Sequence, residues 1–426
     1  MTDDEWTGRA AHLADTLAAA GVLHDPRWRE ALRAVPRHTL VPGYFVQHGP
    51  GANWHEVTGE DPAGHDTWLD TVYSNTALVT ALATGDDGQP TAVSSSSQPS
   101  LMIRMLEALD VQDGQRVLEI GTGSGYNAAL LSHRLGDTQV FSVDIDADLV
   151  ELASQRLART GYHPTLVAVD GEQGLPDHAP YDRIIATCSV SAVPWSWAQQ
   201  TRTGGLILVD VKTGHNAGNL VALRRLSDRL EGRFLPKWAG FMAMRHDNPA
   251  EQRPSGYPRR ERSESTVRAT SLSPRPWDNL IVWFLAQFHQ PANLTFGFNL
   301  DEQTLRPTAT FLTAPDGSWC EIDHEQHDGK HQVFEVGPHQ LWQAVEHAHQ
   351  LWQTTGQPGW ERFGLTITDD HRHEFWLDTP HSPEHAWHLP VHAGTVNLLG
   401  LSSGAGMVGS AGSVAEAGVR RPWPCR

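Results

Sequence analysis

Cysteine is scarce: Cys188, Cys320 and Cys425 are far apart and odd in number, which excludes a disulfide framework and fits a reducing compartment. No apolar run approaches the roughly 20 residues that a membrane span needs. The acidic start Met1-Thr2-Asp3-Asp4 lacks the charged-then-apolar pattern of a secretory signal. These absences predict a cytoplasmic protein with no membrane partner. Positive charge is in deficit, 32 Lys and Arg against 50 Asp and Glu, leaving a net charge of −18. Such a surface repels a phosphate backbone and argues against nucleic acid as a partner. The chain also lacks the G-x-G-x-x-G turn of dinucleotide folds and the G-x-x-x-x-G-K-[ST] phosphate loop.

What is present suffices for two or three domains: 426 residues, 39% of them hydrophobic. The first hundred residues read as short helices and loops. Apolar spacing at Ala11, Leu13, Ala14 and Leu17 predicts a helix over residues 7–20, and the Gly-, Pro-, Asp- and His-rich residues 47–67 predict a loop. From Gln115 onward, apolar runs at 116–120, 139–143, 165–169, 183–187 and 206–211 alternate with helical stretches at 126–135, 147–160 and 195–201. That alternation predicts an α/β, doubly wound, Rossmann-like domain with a parallel sheet. Residues 246–276 hold five prolines and many charges and read as a linker. Beyond them, a helix at 278–288 and strands at 294–298, 309–313, 318–322 and 332–336 are expected. A helix at 339–354 and a hairpin at 364–377 complete a C-terminal α+β module. The resulting division is 1–112 helical and substrate-binding, 113–245 core, 246–276 linker, 277–395 module and 396–426 mobile tail. No internal repeat is evident.

The most informative segment is Val117-Leu118-Glu119-Ile120-Gly121-Thr122-Gly123-Ser124-Gly125-Tyr126. A buried strand runs into a G-x-G-x-G turn and then a helix, and the glycines let backbone approach a ligand closely. The ligand expected there is the methionine and sugar part of S-adenosylmethionine, bordered by Glu119, Gly121, Thr122, Gly123, Ser124 and Gly125. Asp144 follows the second strand, where a carboxylate accepts from both ribose hydroxyls. Ile145 comes next to it, and Asp170-Gly171 ends the third strand near the expected adenine. Asp144 has a blander reading as a helix N-terminal acid, a role that Asp146 and Asp148 also suit.

At these residues the chain resembles the protein-L-isoaspartyl O-methyltransferases. The match includes VLEIGTGSGYNAALL, VDGEQGLPDHAPYDRIIATC and Gly204-Gly205, extends upstream to AVPRHTLVPGYF, VYSN and SSSSQPSLMIRMLEAL, and takes in Phe234-Leu235-Pro236. It covers roughly residues 10–245. The resemblance implies esterification of a peptide carboxylate, with Ser97 at the acceptor carboxyl and Ser96 and Gln98 beside it. A Ser-rich tract also suits a flexible loop. Three departures stand out: a longer stretch at 46–71, Ser95-Ser96-Ser97 before Gln98-Pro99, and about 180 further residues. This layout is similar to C-terminally extended variants that accompany modified peptides, especially the ATP-grasp-ligated graspetides. It implies a modified precursor peptide as substrate and an ordinary aspartate as acceptor, whose ester closes to an aspartimide and can open to isoaspartate; the alternatives are repair of isoaspartyl damage and, in another class, a non-catalytic peptide-binding protein that keeps the fold. The oligomeric state is not legible.

A carboxylate is ionised at neutral pH, with a reference pKa of about 4, so no general base is required. Cys188 reads as a buried small residue and not as a nucleophile. Of 24 histidines, His324, His327, His331, His371 and His373 have spacings a metal could use. They lie in turn-like sequence, and no metal is expected. Trp283, Trp319, Trp342, Trp352, Trp360 and Trp376 suit a peptide groove or, more commonly, core packing.

Overall fold

A computed structural model describes residues 3–389 except 50–51, 86–87, 214–215, 247–261, 293, 302 and 381–384. Cys425, the expected tail and residues 247–261 of the expected linker lie outside the described residues.

The chain opens with helices Asp3–Ala19 and Pro26–Ala34. Asp25 caps the second by accepting from the Arg27 N–H at 2.8 Å, with Pro26 preset for its first turn. Then the structure departs from the sequence reading. Residues expected to be loops and short helices form a four-stranded antiparallel sheet of β1 (Gly43–Gln47), β2 (Trp54–Thr58), β3 (Leu78–Thr84) and β4 (Pro90–Ser96), in the order β2-β1-β3-β4. β2 falls inside the expected loop 47–67. These strands are short and mostly half-exposed, and β3 and β4 slip register at two points. They therefore lack the strict alternation by which a strand is recognised.

β5 (Val117–Ile120), β6 (Val140–Asp144), β7 (Thr165–Ala168), β8 (Tyr181–Val190) and β9 (Thr201–Thr213) pair in parallel in the order β7-β6-β5-β8-β9. Leu118, Ile184, Ile207 and Val221 enter one buried cluster, while their neighbours Val117, Ile185, Leu208 and Leu220 enter another. A sheet covered on both faces is what near-continuous apolar runs produce. β10 (Ala217–Arg225) and β11 (Arg229–Phe234) continue it antiparallel.

A third sheet holds β12 (Thr266–Thr270), β13 (Thr295–Leu300), β14 (Pro307–Thr313), β15 (Trp319–His327) and β16 (Lys330–Val336), in the order β12-β16-β15-β14-β13. β12 lies within the expected linker and is pinned there by pairing with β16 and by Arg268 Nε donating to Glu335 Oε2 at 2.8 Å. The last three strands, β17 (Phe363–Thr368), β18 (His373–Leu377) and β19 (Ala386–His388), return to the central sheet, β17 beside β11, making ten strands. The sheet thus runs across the boundary expected between core and C-terminal module. One apolar cluster also spans that boundary, from Leu118 through Phe284 to Leu377. Phe284 is its aromatic hub, with ring centroids 5.8 Å from Phe234, 5.2 Å from Trp360 and 5.5 Å from Phe375. Trp283, Trp319, Trp342, Trp360 and Trp376 are buried and Trp352 packs on the same cluster, so these tryptophans build core and not a groove. No helix among the described residues is long and apolar enough to cross a membrane.

Candidate functional site

The strand order places a topological switch between β5 and β8, the position where open α/β sheets bind ligands beyond their strand C-termini. β5 ends at Ile120, and Gly121 and Thr122 both donate to the Val143 carbonyl, at 2.8 and 3.1 Å. Gly121 has φ +100°, and a Cβ there would stand 2.6 Å from Thr187 Oγ1. The position therefore demands glycine twice over, by dihedral and by space. Gly123 donates to Asp144 Oδ2 at 3.0 Å and Asp146 to Asp144 Oδ1 at 3.2 Å. Asp146 caps helix Ala147–Arg159 through the Leu149 N–H. Capping thus falls to Asp146, and the Asp144 carboxylate stands at the edge of the turn.

Glu119 is fully buried beneath this turn, accepting from Asn127 Nδ2 at 2.7 Å and Ser142 Oγ at 2.6 Å. Ser142 Oγ in turn lies 2.7 Å from Thr122 Oγ1. Burial pushes the Glu119 carboxyl up to about 7, against the downward pull of those two hydrogen bonds.

The serine tract is not a loop as far as Ser96. Ser94 and Ser96 are buried on β4, and Ser97 follows it directly, ahead of helix Pro99–Leu109. Ser96 Oγ accepts from Arg37 Nη2 at 3.2 Å, as does the Ser97 carbonyl. Arg37 is fully buried and also donates to the carbonyls of Val72, Ser74 and Thr76. Its guanidinium ties two chain segments together where the tract ends. Gln98 Nε2 donates to the Asn75 carbonyl at 2.9 Å, which commits part of its side chain to the same scaffold.

A cleft of about 830 Å³ joins these parts. It is lined by Ser96, Ser97 and Gln98 on one side and by Glu119, Gly121, Thr122, Gly123, Ser124, Asp144, Ile145 and Gly171 on the other. Two of the expected residues lie off its wall. Gly125, at φ +82°, starts helix Tyr126–Leu135, and a Cβ would crowd Leu157 at 3.3 Å, so its smallness serves helix packing. Asp170 accepts from the Glu172 N–H at 2.9 Å and pairs with His246 Nδ1 at 3.1 Å; only its neighbour Gly171 borders the cleft. Cys188 is on the wall, and burial first, then the Asp144 charge, pushes its thiol up to about 12, far from thiolate chemistry.

Sequence reasoning missed Lys212 and residues 238–245, which also line the cleft. Charged Asp210 and Lys212 inside the apolar run of β9 were the available signal for Lys212; the wall at 238–245 left none. The late histidines have other partners. His324 Nε2 faces Thr310 Oγ1 and His331 Nδ1 faces the Asp323 carbonyl, while His373 Nε2 accepts from the Val193 N–H at 2.9 Å. Among the described residues, the one grouping of three metal-capable side chains is Asp170, Glu172 and His246.

Comparison with known proteins places the chain in a family. A family profile, Protein-L-isoaspartate(D-aspartate) O-methyltransferase (PCMT), matches residues 66–234. The chain is 39% identical over 145 residues to a protein-L-isoaspartate O-methyltransferase of Thermotoga maritima, covering 34% of this chain and 44% of that protein. Matches with the first of these curated relatives thus span about half of their length. A Roseiflexus castenholzii protein of the same name is 31% identical over 243 residues, covering 55% of this chain and 94% of the relative. A solved structure called protein-L-isoaspartate O-methyltransferase is 21% identical with a TM-score of 0.49, covering 87% of this chain and 100% of that one. With nearly the whole of one such relative aligned, the chain belongs to the protein-L-isoaspartate O-methyltransferase family.

Proposed function

We propose that the protein is an S-adenosylmethionine-dependent O-methyltransferase that esterifies a peptide carboxylate. The observation that carries this is the meeting, in one cleft, of the glycine turn with Asp144 and the end of the serine tract. The donor set fits S-adenosylmethionine. Backbone at Gly121 is bare where a side chain would crowd Thr187, and the Asp144 carboxylate, beside the turn, suits a pair of ribose hydroxyls. When bound, the cofactor's sulfonium supplies an electrophilic methyl group.

The chain's own task is then positional. Asp144 and the backbone of 121–123 orient the donor, Ser97 holds the acceptor carboxylate, and Arg37 fixes Ser97 through its carbonyl. The carboxylate is already a nucleophile, so no base is needed. Alignment and exclusion of water are what remain, and alignment alone supplies roughly 7–11 kcal/mol in favourable cases. Neither Cys188 nor a Ser-His pair is required.

The acceptor we favour is an aspartate in a ribosomally made, macrocyclised precursor peptide of graspetide type, whose ester then closes to an aspartimide or isoaspartate. The support is the chain's extent beyond the matched region: β1 and β2 before it, and after it a C-terminal part whose strands β17–β19 join the central sheet and whose helix Leu280–Ala286 enters the shared core. A second reading, repair of isoaspartyl damage, is supported by the names of the curated relatives. Purified protein should methylate a cyclised precursor far faster than a linear isoaspartyl peptide, because a preformed ring loses less freedom on binding. Equal rates by mass spectrometry replace the biosynthetic reading with repair.

A further inference from the structure

β9 carries two charges where a sheet strand needs none. Asp210 is 0% exposed and Lys212 3%, and Lys212 Nζ lies 3.3 Å from Asp210 Oδ2. Taking a pair out of water is costly, and replacing such pairs by apolar residues is often neutral or stabilising for a fold. The hydrogen bonds of this pair explain its presence, because they leave the sheet. Asp210 Oδ2 accepts from the Phe241 N–H at 3.0 Å, and Lys212 Nζ donates to the Phe241 carbonyl at 3.0 Å. Both backbone groups of a single residue are thus held by one ion pair. Ser189 Oγ donates to the same carbonyl at 3.3 Å, the Ser189 N–H to Met242 O at 2.8 Å, and the Met244 N–H to Ser189 O at 2.8 Å. Arg104 donates to the carbonyls of Lys237 and Trp238, and the Trp238 ring lies 5.8 Å from Lys212 Nζ.

The segment so held, residues 238–245, lines the cleft that also contains Gly121, Asp144 and Ser97. Without these bonds it is a chain leaving the end of a sheet; with them it is a wall. We infer that Asp210 and Lys212 are positioning residues that clamp residues 238–245 in place as the roof of the donor cleft. The clamp is read from this geometry alone; its effect on cofactor binding rests on the function proposed above.

Hydrogen exchange on the full-length protein tests the clamp without reference to activity. The double variant D210N/K212M leaves neither charge unpaired, and Met244→Pro removes one roof hydrogen bond at a half-buried side chain on the edge of the core. In both, peptides covering 238–246 should exchange about tenfold faster, the loss of roughly one net hydrogen bond, while peptides from β5 and β6 stay unchanged. The dissociation constant for S-adenosylhomocysteine and the KM for S-adenosylmethionine should rise by about the same factor, with the acceptor KM unaltered. Unchanged exchange at 238–246 in a folded double variant overturns the clamp. Faster exchange with unchanged cofactor affinity overturns its role as a roof. If the double variant does not fold, Met244→Pro decides by the same two readouts. A wild-type protein that binds no S-adenosylhomocysteine overturns the proposed function, while the exchange result still judges the clamp.

Discussion

Phe284→Ala puts the continuity of sheet and extension to the test. Phe284 is 0% exposed on helix Leu280–Ala286, and its ring meets Phe234 at the end of β11, Phe363 on β17 and Phe375 on β18. Truncation removes a large buried ring from the place where the extension joins the central sheet. Phe→Ala in a core costs about 3–5 kcal/mol, and the edge-to-face pairs place this site toward the upper end. If the ten strands form one cooperative body, the whole protein should lose that stability together. Tryptophan fluorescence weights the C-terminal residues and far-ultraviolet circular dichroism the whole chain, and both should report the same lowered guanidinium midpoint. Affinity for S-adenosylhomocysteine in the native baseline should stay as in wild type, because Phe284 is not among the residues lining the cleft. An early fluorescence transition followed by a separate one, with cofactor still bound between them, would refute the shared core and restore a detachable module.

Asp144→Ala should weaken cofactor binding by about 1–3 kcal/mol through lost charged hydrogen bonds; unchanged affinity by titration calorimetry removes Asp144 from the site. Ser97→Ala should lower turnover much more than cofactor affinity, since its proposed partner is the acceptor, and equal turnover returns Ser97 to a scaffold role. Glu119 carries a raised carboxyl pKa, about 7 against an ordinary 4.5, so the folded state binds the proton more tightly than the unfolded one. Its contribution is fully present below pH 4.5 and lost as pH rises through 7, about 3 kcal/mol at 1.36 kcal/mol per tenfold change. The stability gap between wild type and Glu119→Gln should therefore narrow or reverse between pH 4.5 and 7 in denaturant titrations, and a pH-independent gap contradicts that ionisation.

What the sequence made legible follows from how local each signal is. The central parallel strands β5, β6, β8 and β9 announce themselves because both faces are buried, so their apolar runs are near-continuous. The G-x-G-x-G turn is legible because dihedral and space both require glycine at 121. β2, with Glu56 and His55 exposed, carries no such run. β12, five residues with Arg268 at their centre, is a strand because it pairs with β16 and Arg268 finds Glu335 and Glu346, on elements about seventy residues away. The joining of β17 to β11 is likewise a long-range pairing that no local pattern encodes. Arg37 was visible within AVPRHTLVPGYF, but nothing local says that a guanidinium will be buried among carbonyls. The residues at 238–245 are held by partners distant in sequence, on β8, β9, β10 and helix Pro99–Leu109.

The central claim is methyl transfer to a carboxylate, and its most direct measurement uses S-adenosylmethionine labelled with deuterium in the methyl group. Purified protein and a cyclised aspartyl precursor should yield a peptide heavier by one labelled methyl. Mild base should then release that group as labelled methanol, as an ester and its aspartimide product require. A label that survives base on nitrogen or sulfur, or a peptide that gains no label from a protein shown to bind the cofactor, contradicts the account.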